Sequence, residues 1–175
     1  MKTSRRLYGD RAQIEELLGK MQLMETAAGN WAAVYKDKVT GAFWMKYHTM
    51  SGMQGGGFVQ LIKLPLPLTE ELINIAILSP FEDEAVAAIL RLVDEEIVEK
   101  KNFRHLLVGQ LEKQNMSSFS TGQKQRMQKI ITLAALNDPM NKREVLNKSA
   151  EQVQKDAVYY RTVAERAQLL LKELL

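Results

Sequence analysis

The segment "LPLPL", residues 64–68, constrains this chain more than any other stretch. Pro65 and Pro67 lack the amide hydrogen that a sheet ladder needs and hold the backbone extended, so no regular element runs through them. The two sides differ in kind. Upstream, "WAAVYK" (31–36), "AFWMKYH" (42–48) and "FVQLIKL" (58–64) are rich in aromatic and β-branched residues, the composition of strands. "DKVTG", a polar turn ending in Gly41, predicts a hairpin between the first two. The third completes a three-stranded antiparallel β-meander, about the minimum for a stable sheet. Ahead of it, Asp10 and Gln13 make a capping-box-like start, and Ile14, Leu17, Leu18, Met21 and Met24 recur at helical spacing, which predicts a helix over 11–25.

Downstream the pattern is helical throughout. Thr69 caps a helix over 70–78. In "SPFEDE", Ser79 is the N-cap, Pro80 sits at the first helical position and Glu82 completes a capping box. That helix runs to about residue 99 and buries Val86, Ile89, Leu90, Val93 and Ile97. A shorter helix follows over 102–113, and Ser120 with Gln123 starts another that ends at "LNDP". Asp138 and Pro139 begin the last helix. In it Leu146, Ala150, Val153, Ala157, Tyr160, Ala164, Ala167, Leu171 and Leu174 alternate steps of four and three, a heptad seam. Its alanines imply close approach of a partner helix. The helix of 119–137 covers about half that length. The rest packs on 102–113, on the N-terminal half, or on a second copy as a homodimer.

The expected fold class is α+β: an N-terminal helix, the meander, then an all-helical part ending in a long heptad-patterned helix. The Ser-rich loop at 114–121 marks the boundary between an α+β domain, 1–115, and a helical hairpin, 116–175, packed on it. A chain of 175 residues suffices for one substantial core or two small ones. Without cysteine it can form no disulfide, thiolate nucleophile or Cys-ligated metal site. His48 and His105 are its only histidines, too few for an all-His metal site. No window approaches the roughly 20 apolar residues of a membrane span, and the basic start has no apolar run behind it, so a cytoplasmic protein is expected.

The stretch "SGMQGGGF" raises the question of a phosphate cradle. Such loops work by pointing backbone N–H groups at the anion from the start of a helix. Here the loop leads into a strand and lacks a P-loop's Lys-Ser/Thr pair, so its glycines read as backbone freedom between strands. Ser51 and His48 are loop neighbours without a third triad member. His105 sits among Leu106, Leu107 and Val108, as a packed or surface helical histidine does. Glu82, Asp83 and Glu84 are explained by helix capping. No catalytic set, cofactor or metal site is expected.

Charge is unevenly spread. Residues 1–99 carry 10 Lys/Arg against 14 Asp/Glu, a net of −4, and residues 100–175 carry 14 against 7, a net of +7. Asp94, Glu95, Glu96 and Glu99 oppose the macrodipole at a helix C-terminus; they are either neutralised by Lys100 and Lys101 or form an acidic patch for a basic partner. His48, Met50, Met53 and Gln54 on the glycine loop are candidates for the same contact. Lys124, Arg126, Lys129, Lys142, Arg143 and Lys148 could follow a phosphate backbone, but no nucleic-acid motif accompanies them.

Trp31, Tyr35, Asp37, Thr40, Gly41, Trp44, Tyr47, the glycines at 55–57, Leu64 and Pro65 together resemble a pattern of small bacterial immunity proteins of polymorphic toxin systems, over roughly residues 30–100. The resemblance implies a non-enzyme that binds a cognate toxin stoichiometrically and blocks its active site or an essential surface. Two other functions stay open: an adaptor that oligomerises through the 146–174 seam, and nucleic-acid binding by the basic half.

Overall fold

The three aromatic segments are consecutive antiparallel strands, and they form the middle of a larger sheet. The structure, a computed structural model, describes residues 5–51 and 56–175. Among these the strands are β1 (Leu7–Tyr8), β2 (Met21–Thr26), β3 (Ala32–Asp37), β4 (Phe43–Thr49) and β5 (Phe58–Lys63), ordered β1-β5-β4-β3-β2 with every pair antiparallel. The helices are α1 (Arg11–Leu18), α2 (Thr69–Leu78), α3 (Glu82–Val98), α4 (Arg104–Glu112), α5 (Thr121–Leu133) and α6 (Ala150–Glu173). The fold is α+β with an antiparallel sheet. The chain divides into two compact units, one up to Asp94 and one Glu95–Leu175, so the division falls inside α3 rather than at the Ser-rich loop.

Two sheet members escape the sequence pattern. The helix expected over 11–25 stops at Leu18, and Met21 and Met24 lie in edge strand β2. Asp10 does cap α1, accepting from the Gln13 N–H at 2.8 Å. β2 is exposed at five of its six residues, so it shows no alternation to betray it; its backbone pairing with β3 makes it a strand. A register shift between Leu23 and Glu25 bulges this edge, a device that blunts strand-to-strand aggregation. On one face of the sheet α1 lays Ile14 over Trp44 and Leu61, with Tyr8, Leu17, Leu18 and Met21 around them. Fully burying side chains of this kind contributes about 1.5–3 kcal/mol each. On the other face, buried Gln60 accepts from the Tyr47 hydroxyl at 2.8 Å and donates to the Ala87 carbonyl of α3 at 3.0 Å.

The acids that begin α3 act differently from the expected capping box. Glu82 is the first helical residue, with Ser79 and Pro80 ahead of the helix, and Thr69 begins α2 instead of capping it. Glu84 is buried and accepts from the Arg6 and Leu7 N–H groups at 2.6 and 3.1 Å and from the Ser79 hydroxyl at 2.6 Å. Asp83 pairs with Arg5 and accepts from the Gly9 N–H at 3.2 Å. Both carboxylates therefore hold the β1 segment. Ile97, expected in the core, is exposed.

In the second unit Ser120 and Gln123 form the expected capping box of α5. The last helix does not begin at Asp138. Residues 138–149 form a loop, and α6 starts with a second capping box, Ser149 with Gln152. Leu146, counted in the seam, is exposed in that loop, and Ala150 is exposed on the first turn. Val153, Ala157 and Leu171 are half-buried, whereas Tyr160, Ala164 and Ala167 are buried and Leu170 is buried in place of Leu171. The inward face packs against α4, across which Arg166 forms a two-point ion pair with Glu112 at 2.6 and 2.8 Å.

The glycine loop joins β4 to β5 in a hairpin. Gly52, Met53, Gln54 and Gly55 lie outside the described residues. Gly56 and Gly57 adopt φ +79° and +77°, in the left-handed region that disfavours side chains. A Cβ on Gly57 would stand 2.1 Å from the Thr49 carbonyl oxygen, whereas one on Gly56 would meet nothing within 4 Å. Gly56→Ala should cost about 1–2 kcal/mol for its backbone alone, and Gly57→Ala distinctly more because Thr49 must also move. Urea unfolding of the two variants measures the gap; equal costs would mean that the hairpin relaxes freely.

Candidate functional site

Each unit carries a concave feature. In the first it lies on the sheet face that α1 covers, beyond the reach of that helix. β4 alternates, so Trp44, Lys46 and His48 point to one side. The register sets Tyr35 beside Trp44 and Ala33 beside Lys46. Trp44 lies under α1, but the helix ends at Leu18 and the strand runs on uncovered. The result is an open recess of about 220 Å³ lined by Thr26, Asn30, Trp31, Tyr35, Lys46 and His48 with two alanines. Trp31, at the end of the turn that brings the chain from β2 into β3, is 63% exposed. Lys46 and Tyr35 are half-buried and His48 is exposed.

The cleft of the second unit, about 450 Å³, has the size of small-molecule sites, and its lining includes Ile97, Lys100, Lys101, Arg143, Asp156 and Tyr160. Its charges are largely matched. Asp156 pairs with both Arg143 and Lys148, and Arg143 also reaches Asn102 and lies 4.4 Å from the centre of the Tyr159 ring. The Lys148 ammonium, helped by Arg143, holds the Asp156 carboxyl below the usual carboxylate range. Glu96 takes a fork from Arg104 at 2.7–2.9 Å, and the Tyr160 hydroxyl approaches it at 3.3 Å. The other arm of Arg104 donates to the Ala134 and Ala135 carbonyls at 2.8 and 3.1 Å, which satisfies and neutralises the C-terminal end of α5.

These contacts correct the expected acidic face. Asp94 accepts from the Met50 N–H at 2.9 Å and lies 3.8 Å from Arg91. Glu95 and Glu96 are buried, the first 3.3 Å from Lys101 and the second on Arg104. Glu99 alone is substantially exposed, and it too pairs with Lys101, at 2.9 Å. Of the two lysines expected to neutralise these acids, Lys101 does so for Glu95 and Glu99, whereas the Arg104 and Met50 contacts were not expected. Of the loop candidates, His48 joins the recess, Met50 is half-buried at φ 54°, and Met53 and Gln54 lie outside the described residues. His105 is a packed histidine: Arg166 donates to its Nδ1 at 3.1 Å, and burial followed by the Arg166 charge lowers its pKa. Among the basic candidates, Lys142 pairs with Asp138, and Arg143 and Lys148 with Asp156.

The sequence pattern did not single out Lys46, and it marked Trp31 and Tyr35 as strand residues and positions of the family resemblance without placing them on a contact surface. Period-two parity could have grouped Tyr35, Lys46 and His48 on one face. Whether a helix covered that face depended on where α1 ended. Among the described residues no group of three His, Asp or Glu side chains is placed to hold a metal ion, and no helix is long and apolar enough to cross a membrane. Comparison with protein-family models, curated proteins and solved structures gives no match.

Two outcomes follow from the second unit's buried network. Replacing Arg104 with Met strands the Glu96 carboxylate, which should cost about 3–5 kcal/mol in denaturant unfolding, whereas Arg104→Lys should recover only part. Burial, followed by the Glu96 charge, raises the Tyr160 hydroxyl from 10.0 to about 12. The folded state thus favours the protonated phenol. Its contribution is complete below about pH 10 and is lost as pH rises toward about 12. Thermal unfolding across that window should show Tyr160→Phe losing less stability than the parent; parallel losses would assign the alkaline transition to other groups.

Proposed function

We propose that this chain is a non-catalytic protein-binding protein that neutralises a bacterial toxin by stoichiometric binding, and that the recess around Trp31 is its principal contact. The observation that carries this reading is the exposure of Trp31 beside Tyr35 and His48 on an uncovered sheet face. A large aromatic side chain left in water forgoes burial energy that the protein could otherwise use. Tryptophan and tyrosine are also the residues that most often dominate binding energy when a partner covers them. The immunity-protein resemblance includes Trp31 and Tyr35 among its positions, so this aromatic pair falls where that family's pattern lies. A contact surface already formed in the free protein lowers the ordering cost of association.

The seam adaptor is less well supported, because Tyr160, Ala164 and Ala167 are already buried and unavailable to a second copy. Affinity purification from the native cell should recover one protein in stoichiometric amount, and co-expression should protect cells from a toxin encoded beside the gene. Trp31→Ala should weaken the complex by about 2 kcal/mol or more while circular dichroism stays unchanged. Full protection and unaltered affinity in that variant would remove the recess from the interface.

A further inference from the structure

The recess also carries information about what its partner brings. Lys46 is half-buried on its floor, next to His48, and no carboxylate lines the recess. In the cleft of the second unit Arg143 and Lys148 are matched by Asp156, Lys101 by Glu95 and Glu99, and Lys142 by Asp138. Among the described residues Lys46 has no ion pair. An ammonium without a counter-charge, set among Trp31, Tyr35 and His48, offers a complementary charge to an anionic group that enters the recess. At about 220 Å³ the recess is below the size of small-molecule pockets and suits a single side chain of a larger partner.

We infer that the recess seats an acidic side chain of the partner protein, with Trp31 and Tyr35 packing its flanking apolar residue and Lys46 pairing its carboxylate. This rests on the protein-binding reading and deepens it. It reverses the charge expected from the sequence, in which an acidic face was to meet a basic partner. A single-stranded nucleic acid could also stack on the aromatic pair, but such ligands follow a basic track. Residues 1–94 carry 10 Lys/Arg against 11 Asp/Glu, a net of −1, which disfavours a polyanion.

The test uses the full-length protein immobilised against a random-peptide phage library, with Trp31→Ala and Lys46→Gln panned in parallel. Trp31 is exposed and the chain's other tryptophan, Trp44, is buried, so intrinsic fluorescence reports occupancy directly. Enriched peptides should carry Asp or Glu next to an apolar residue. Lys46→Gln, or changing that acid to its amide, should weaken binding about tenfold or more, and the attraction should fade with salt. Lys46→Arg should restore most of it. Peptides that need Trp31 but ignore Lys46 and carry no excess of acids would overturn the carboxylate assignment and leave the protein-binding reading standing. Binding indifferent to Trp31, or no enrichment at all, would overturn both. Tighter quenching by an oligothymidylate than by any peptide would reassign the recess to nucleic acid.

Discussion

Helix α3 carries Glu84, Arg91, Glu95 and Glu96 into buried positions, and the architecture depends on how those charges are answered. An unpaired buried charge costs several kcal/mol, so each must recruit a partner or the helix cannot take this place. Glu84 recruits backbone, taking the Arg6 and Leu7 amides and the Ser79 hydroxyl, and so holds β1 to the helix start. Glu96 recruits Arg104, whose free arm closes the end of α5. Arg91 lies over the Tyr47 ring of the sheet, 5.4 Å from its centroid. A single helix thereby supplies a polar anchor to each of the two units. Such anchors add specificity: an aliphatic residue could replace Glu84 in volume, but it would leave two amides without acceptors.

The open part of the sheet follows from a limit on length. α1 spans eight residues, enough to cover Trp44 and Leu61 but not the strand beyond them. Its last turn meets Gly19, whose N–H bonds back to the Glu15 carbonyl, and the chain then reverses into β2. Residues that would have continued an amphipathic helix pair with β3 instead. The trade leaves Tyr35, Lys46 and His48 uncovered while extending the sheet by an edge, and the bulge near Met24 keeps that edge from being a regular template.

The local signals in the chain were legible where they were short-range. Strands β3, β4 and β5, the turn at Asp37 to Gly41, the Asp10 cap and the Ser120 capping box all lie at or beside their expected positions. The reading failed where two local signals competed. Helical spacing from Ile14 to Met24 outweighed the turn at Gly19, and the heptad pattern from Leu146 hid the Ser149 and Gln152 box, although that box is the same signature found at Ser120. In both places periodicity was extended across a break that a cap or a glycine had marked. The site was less legible than the fold. His48, chosen as a contact residue, is exposed in β4, whereas the acids chosen beside it are tied to Lys101, Arg104 and the Met50 amide.

By itself the sequence determined the class of the fold, the order of most elements, the lack of any cysteine chemistry and the non-helical backbone demanded of the glycine loop. These depend on propensity, capping and φ preference, which act within a few residues. Only the tertiary structure decided which charges are spent and which are open. Asp83 meets Arg5 and Glu96 meets Arg104 through pairings that no local pattern encodes, and among the described residues Lys46 has no ion pair. Burial of a polar group is a property of everything packed around it, so a helix face that reads as acidic in sequence can be neutral in the folded chain.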